Sequence, residues 1–87
     1  MISSSQIKAA RAMLGWSALK LAEFSGIGPA TIRRYELQEG IPSANTNVLQ
    51  KIKSVLESSG IQFTGDPLVN PGVTIDLSKR KAGLDRQ

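Results

Sequence analysis

Two adjacent arginines, Arg33 and Arg34, are the side chains of this sequence best equipped to bind a ligand. They lie near the end of the stretch "LAEFSGIGPATIRRYE", which spans residues 21–36. A guanidinium group stays charged at every physiological pH, and its planar fork pairs with phosphate oxygens or with the O6 and N7 atoms of guanine. The arginine pair can therefore bind an anionic partner such as a nucleic acid, although two adjacent arginines are also common on an ordinary solvated helix surface.

Catalysis and metal binding find little support in the composition. The 87 residues include no Cys and no His, so the commonest metal ligands and the commonest general base are missing. The aspartates Asp66, Asp76 and Asp85 stand apart in the sequence and suggest neither a paired-carboxylate site nor a cation site. We therefore expect no enzymatic activity, no catalytic residue, no metal and no cofactor.

The length and charge describe one small domain with a bias towards anionic partners. Eighty-seven residues supply a single modest core, and the formal net charge is +4. No apolar stretch approaches the length of a membrane span. The first residues lack the basic start and apolar run of a secretory signal. We expect a soluble, cytoplasmic protein.

Apolar spacing and capping residues predict four helices. Ser3 and Gln6 have the spacing of a capping box, and Gly15 suits the end of the first helix. Ser17 is a natural N-cap for the second helix. The predicted helices cover residues 3–14, 18–24, 29–37 and 46–59. The positions expected to face inward from the second helix are Leu19, Leu21 and Ala22.

The tight turn between the second and third helices is the most distinctive local feature. "SGIG" at residues 25–28 interrupts the helical pattern, and Gly26 tolerates the positive φ that such a turn requires. Ala22 is small enough for two helices to cross closely, and Pro29 suits the first turn of the next helix. This pattern predicts a helix-turn-helix, in which the second helix of the pair is presented to the major groove of DNA.

Beyond residue 60 the apolar period changes from helical to alternating. Residues 61–63 and 73–77 predict a β-hairpin with a long, turn-rich connection. Val73, Ile75 and Leu77 would share one apolar face, which we expect either to cover the helical core or to form a dimer interface. Residues 78–87 predict a charged, flexible tail. Its "SKRK" segment (78–81) is expected to be solvated rather than an essential nucleic-acid contact.

The run "QIKAARAMLGWS…LAEFSGIGPATIRRYE…G…P" resembles the Cro and phage-repressor type (XRE family) of helix-turn-helix transcriptional regulators over roughly residues 3–60. The resemblance implies a mainly α, lambda-repressor-like domain of four to five helices within residues 1–60. The hairpin, residues 61–77, is a departure from members of this family that end soon after the last helix. The resemblance also implies a partly buried ion pair between Arg11 and Glu36, and double-stranded DNA as the partner.

The same resemblance implies which residues contact DNA. Arg34 is expected to reach a guanine, whereas Arg33 serves a phosphate or the dipole at the end of its helix. Gly28, Pro29 and Ala30 stand where similar proteins have polar side chains, which predicts a backbone amide contact to phosphate and little direct base reading. The expected DNA-contacting residues are Ser17, Lys20, Gly28, Pro29, Ala30, Thr31, Arg33, Arg34, Ser43 and Asn45.

Several of these positions have an ordinary structural explanation as well. An exposed lysine such as Lys20 is commonly solvated, and Ser17 is first of all a helix cap. Ser43 and Asn45 lie where turn and cap chemistry is expected without any ligand.

The function predicted from the sequence is a sequence-specific repressor that binds a palindromic operator as a homodimer and has no small-molecule effector. One alternative is an antitoxin-like or accessory protein whose hairpin binds a partner protein. A second alternative is a helix-turn-helix fold used only for protein interaction, without DNA contact.

Overall fold

The computed structural model describes residues 1–79, which form four helices followed by a two-stranded antiparallel sheet. This confirms the predicted fold class. The elements are α1 (Ser4–Leu14), α2 (Ala18–Ser25), α3 (Pro29–Leu37), α4 (Thr46–Ser58), β1 (Ile61–Thr64) and β2 (Gly72–Ile75), with a short 3₁₀ turn at Leu77–Lys79. Most of the predicted tail, residues 80–87, lies outside the described residues. Across residues 1–79, every helix is too short or too polar to cross a membrane.

Local capping explains where the first two helices begin and end. The Ser3 hydroxyl accepts a hydrogen bond from the Gln6 amide at 3.2 Å, and the Gln6 side chain accepts one from the Ser3 amide at 2.9 Å. Ser17 caps α2 in the same way through the Lys20 amide at 3.0 Å. Gly15 and Gly26 end the two helices in the left-handed conformation, at φ 71° and 74°. Residues other than glycine rarely adopt this backbone conformation, so both turns depend on these glycines.

The core is mainly aliphatic, with Trp16 and Tyr35 as its two aromatic residues, and draws on every helix and on the first strand. α2 contributes Leu21 and Ala22 as predicted, but the prediction for Leu19 is wrong, because this side chain is 53% exposed. At about 100° per residue, Leu19 lies on the flank of a helix whose inward face passes through Leu21, Ala22 and Ser25. The buried apolar residues are Ile2, Ile7, Ala10, Leu14, Trp16, Leu21, Ala22, Ile32, Tyr35, Leu49, Ile52, Leu56 and Ile61.

The hairpin covers one side of this core. Ile61 pairs with Ile75 and Phe63 pairs with Val73, so these four side chains share one face, and all four pack in or against the core. Val73 and Ile75 therefore pack in part against the core of their own chain, in line with one of the two sequence-based alternatives. The prediction that Leu77 shares this face is wrong, because β2 ends at Ile75 and Leu77 is exposed in the following 3₁₀ turn.

Candidate DNA-binding surface

The first turn of α3 is open to solvent and carries almost no polar side chains. Gly28 is the N-cap residue and Pro29 the first helical residue, and no side chain within residues 1–79 makes a hydrogen bond that caps this end. Ala30 is exposed, and Thr31 is half-buried. Backbone amides in the first turn of a helix lack intrahelical acceptors, and the helix dipole favours an anion there. This end of α3 can therefore hold a phosphate but has few side chains with which to read bases.

The two arginines of α3 lie in different surroundings. The Arg34 guanidinium carbon lies 5.6 Å from the centroid of the Tyr35 ring, within the range of a cation–π contact, and Arg34 is exposed. Arg33 instead lines a groove between α1, α2 and α3 that it shares with Lys8 and Leu37. Both arginines are exposed and can meet a ligand outside the protein, Arg34 beside the Tyr35 ring and Arg33 at a groove beside α1.

A bidentate ion pair joins α3 to α1. Arg11 Nε donates to Glu36 Oε2 and Arg11 Nη2 donates to Glu36 Oε1, both at 2.8 Å. Arg11 Nη1 also donates to the Trp16 carbonyl oxygen at 2.8 Å. The hydrogen bonds to Glu36 raise the pKa of the Arg11 guanidinium above its ordinary value. Arg11 thus joins three parts of the fold: α1 itself, α3, and the turn that precedes α2. This is the structural role that the family resemblance implied.

A second attachment lies at the other end of α1 and was missed by the sequence reasoning. Ser4 Oγ donates to the Tyr35 carbonyl oxygen at 2.6 Å, and the Ser4 amide donates to the Gly40 carbonyl oxygen at 2.8 Å. Ser4 is buried. The Tyr35 carbonyl oxygen belongs to the last turn of α3 and also accepts from the Gln38 amide at 3.3 Å, so Ser4 adds a second, shorter hydrogen bond to it. α3 is therefore held to α1 at two places.

The remaining predicted contacts are already used within the protein, at least in part. Ser17 accepts the cap hydrogen bond of α2, and the Lys20 amino group lies 5.8 Å from the centroid of the Phe24 ring. Asn45 accepts from the Asn47 amide at 2.7 Å and so caps α4. The Ser43 amide donates to the Gln38 side-chain oxygen at 2.8 Å. The cap and turn roles expected for these residues are present, and their DNA contacts stay predictions.

All ten residues predicted to contact DNA are exposed or half-buried. They lie at the start of α2, in the first turn of α3, on the outer side of α3 and in the loop before α4. Lys8 was not among them, although it shares a groove with Arg33. The signal for Lys8 was weak, because a single lysine on an amphipathic helix usually marks only the solvated face.

Comparison with known proteins supports this assignment of the helices. The model of the helix-turn-helix family HTH_3 matches residues 7–59, which is more than half of the 87 residues. The match begins inside α1 and ends just after α4, so it includes the α2–turn–α3 unit and leaves out the hairpin. No curated protein matches the chain.

Proposed function

The chain belongs to the helix-turn-helix family HTH_3, of the Cro/XRE type, and from this premise we propose that it represses transcription by binding a palindromic operator as a homodimer. Family membership makes the chain a DNA-binding helix-turn-helix regulator. The observation that carries the proposal is the presentation of α3. This helix is tied to α1 at two places through its last turn, while its first turn and Arg34 are left exposed.

Recognition would combine a few direct contacts with many contacts to the DNA backbone. Arg34 would provide most of the base reading by side chains through a bidentate contact to guanine, worth about 1–3 kcal/mol of discrimination. Amides at the start of α3, together with Lys20 and Arg33, would bind phosphates and set the register of the protein on the duplex. Repression would follow from occupation of promoter DNA, and no catalytic step is involved.

A homodimer would double this limited set of base contacts. Within residues 1–79 the sheet consists of two strands only, so each strand has one edge without a strand neighbour. We place the dimer contact at this hairpin, where Leu77 is exposed and where Val73 and Ile75 are only half-buried. Two copies of α3 would then enter successive major grooves about 34 Å apart.

Selection from a random pool of double-stranded DNA near physiological salt tests this function. The expected result is an enriched palindrome, with binding that Arg34→Ala weakens by about tenfold or more, as expected for the loss of a bidentate base contact. Lys51→Ala is the matched control, because it removes one exposed positive charge from α4. An enriched single half-site would contradict the dimer. No enrichment, or equal effects of the two variants, would contradict specific recognition by α3.

One observation favours the alternative that the hairpin binds a partner protein. Leu68 and Val69 are both exposed in the turn between the strands. The backbone of this turn is fixed, because Asp66 Oδ1 accepts from both of their amides, at 2.8 and 3.2 Å. A turn whose backbone is already ordered loses less conformational entropy on binding. Co-purification of a stoichiometric partner that is lost in the double variant Leu68→Ser/Val69→Ser would support this alternative, and a pure, DNA-competent homodimer would not.

A further inference from the structure

We propose that Gln6 and Ser4 are positioning residues that couple the hairpin to α3, so that the docking of the hairpin sets the orientation of the DNA-reading helix. Because α3 is taken as that helix, the inference rests on the proposed function. Both residues are buried and lie two positions apart in the first turn of α1. Each makes hydrogen bonds to a different part of the fold.

Gln6 does more than a capping box requires. Its Oε1 atom accepts from the Ser3 amide, while its Nε2 atom donates to the carbonyl oxygens of Thr64 at 3.3 Å and Gly72 at 3.0 Å. Thr64 and Gly72 are paired residues at the ends of β1 and β2, so one side chain holds both strands. Gln6 is only 2% exposed, and buried amides of this kind are costly to leave unpaired.

The glutamine side chain allows the helix-capping role of residue 6 to be separated from its contact with the hairpin. Glu and Gln both complete a capping box, because either side chain can accept the hydrogen bond from the N-cap amide. Only Gln has an amide group to donate, whereas an ionised Glu would turn oxygen atoms towards the two hairpin carbonyls. The double contact with Thr64 and Gly72 therefore requires Gln6 itself, and it is a contact to the hairpin, not a feature of the helix end.

Ser4 continues the connection from α1 to α3. Its hydroxyl donates to the Tyr35 carbonyl oxygen and its amide donates to the Gly40 carbonyl oxygen, at 2.6 and 2.8 Å. Tyr35 directly follows Arg34 in α3, and Gly40 lies in the loop that follows this helix. Hydrogen bonds are directional, so these contacts fix angles and positions that apolar packing alone would leave adjustable. The series of contacts runs from both strands through α1 to the last turn of α3.

This connection predicts a loss of DNA specificity when the hairpin contact is disturbed. Thr64 and Gly72 make none of these hydrogen bonds to α3 itself, yet a displaced α1 would carry the end of α3 with it. Misplacement of α3 removes base contacts, which need accurate geometry, more than it removes salt-dependent attraction to phosphates. The ratio of operator affinity to non-specific affinity is therefore the quantity that reports on the coupling.

The test compares Gln6→Glu with two controls by DNA titration, at a temperature where circular dichroism shows every variant to be folded. Gln62→Glu introduces the same change at an exposed glutamine of β1. Val55→Ala lowers the stability of the fold by shortening a half-buried side chain of α4. We expect Gln6→Glu to weaken binding to the selected operator by about fivefold or more, the lower end of typical coupling between sites. Non-specific binding should fall no further than it does for Gln62→Glu. Ser4→Ala should reproduce the operator defect, and Ser4→Thr, which keeps the hydroxyl, should restore binding.

Two results of the DNA titration would overturn the coupling. One is an equal loss of operator and non-specific binding in Gln6→Glu, and the other is a loss no larger than that of Val55→Ala. If the wild-type protein selects no operator, the proposed function fails, and amide chemical shifts of the DNA-free protein decide the coupling separately. Coupling predicts that Gln6→Glu shifts the amides of residues 31–36 more than Gln62→Glu does. Shifts confined to the start of α1 and the hairpin would refute it.

Discussion

The ion pair between Arg11 and Glu36 yields a quantitative prediction about stability. The Glu36 side chain is 8% exposed and that of Arg11 is 23% exposed. Arg11→Met leaves a nearly buried carboxylate without its partner, and such a change costs about 3–5 kcal/mol of unfolding free energy. Glu36→Gln leaves the guanidinium, which water partly reaches, so we expect the smaller loss of about 1.5–3 kcal/mol that accompanies a broken charged hydrogen bond.

Urea unfolding followed by the fluorescence of Trp16 measures these losses. Trp16 is the only tryptophan, and it is buried. For a slope of about 1.5 kcal/mol per M, Arg11→Met should lower the midpoint by about 2–3 M. The raised pKa of Arg11 means that its contribution to stability is present below the ordinary arginine pKa and lost only as pH rises past the raised value. The measured loss should therefore not depend on deprotonation of Arg11 near neutral pH.

A double variant tests whether a stranded charge causes the loss. Arg11→Met/Glu36→Leu removes both charges from the pair, so it should be less destabilised than Arg11→Met alone. Arg33→Met is the matched control, because Arg33 is exposed, and it should change the unfolding free energy by no more than about 0.5 kcal/mol. Losses below about 1 kcal/mol in both single variants, or a double variant that loses the sum of the two, would refute a buried, coupled pair.

Three further variants test the surface and the hairpin. Gly28→Asp should add an N-cap to α3 and raise stability by a few tenths of a kcal/mol, while it weakens DNA binding by repelling a phosphate; thermal melts and titrations measure both effects. Gly65→Ala should lower the melting temperature, because Gly65 has φ 71° and a Cβ atom there would overlap the Asn70 carbonyl oxygen. Arg34→Lys should reduce operator binding more than non-specific binding in a salt titration, because lysine keeps the charge but loses the fork.

Local sequence signals were sufficient to predict the helices and their ends. Ser3, Gly15, Ser17 and Gly26 each act through residues within a few positions, and each has the expected cap or turn conformation. The apolar alternation also predicted correctly that Val73 and Ile75 lie on one face of the hairpin, although it wrongly placed Leu77 with them. These features depend on spacing alone, which a sequence displays directly.

Contacts between distant segments could not be predicted in the same way. Gln6 looked like one half of a capping box, yet its amide group reaches residues 58 and 66 positions away. Ser4 gave no signal, because nothing in the sequence identifies a helix carbonyl 31 positions away as its acceptor. The prediction that Leu19 is buried failed because the inward face of this eight-residue helix passes through Leu21, Ala22 and Ser25 and leaves Leu19 exposed.

No neighbour within residues 1–79 gives Gly28 a steric reason to be a glycine. Its backbone is extended, at φ −60° and ψ 143°, a conformation open to any residue. In the described part of the chain, a Cβ atom placed there would meet Thr31 Oγ1 at 3.9 Å, which is an ordinary contact. Glycine in such a place is useful when another molecule must come close to the backbone. A DNA phosphate is such a molecule, so the glycine at this position supports the proposal that the first turn of α3 binds a phosphate closely while Arg34 reads the bases.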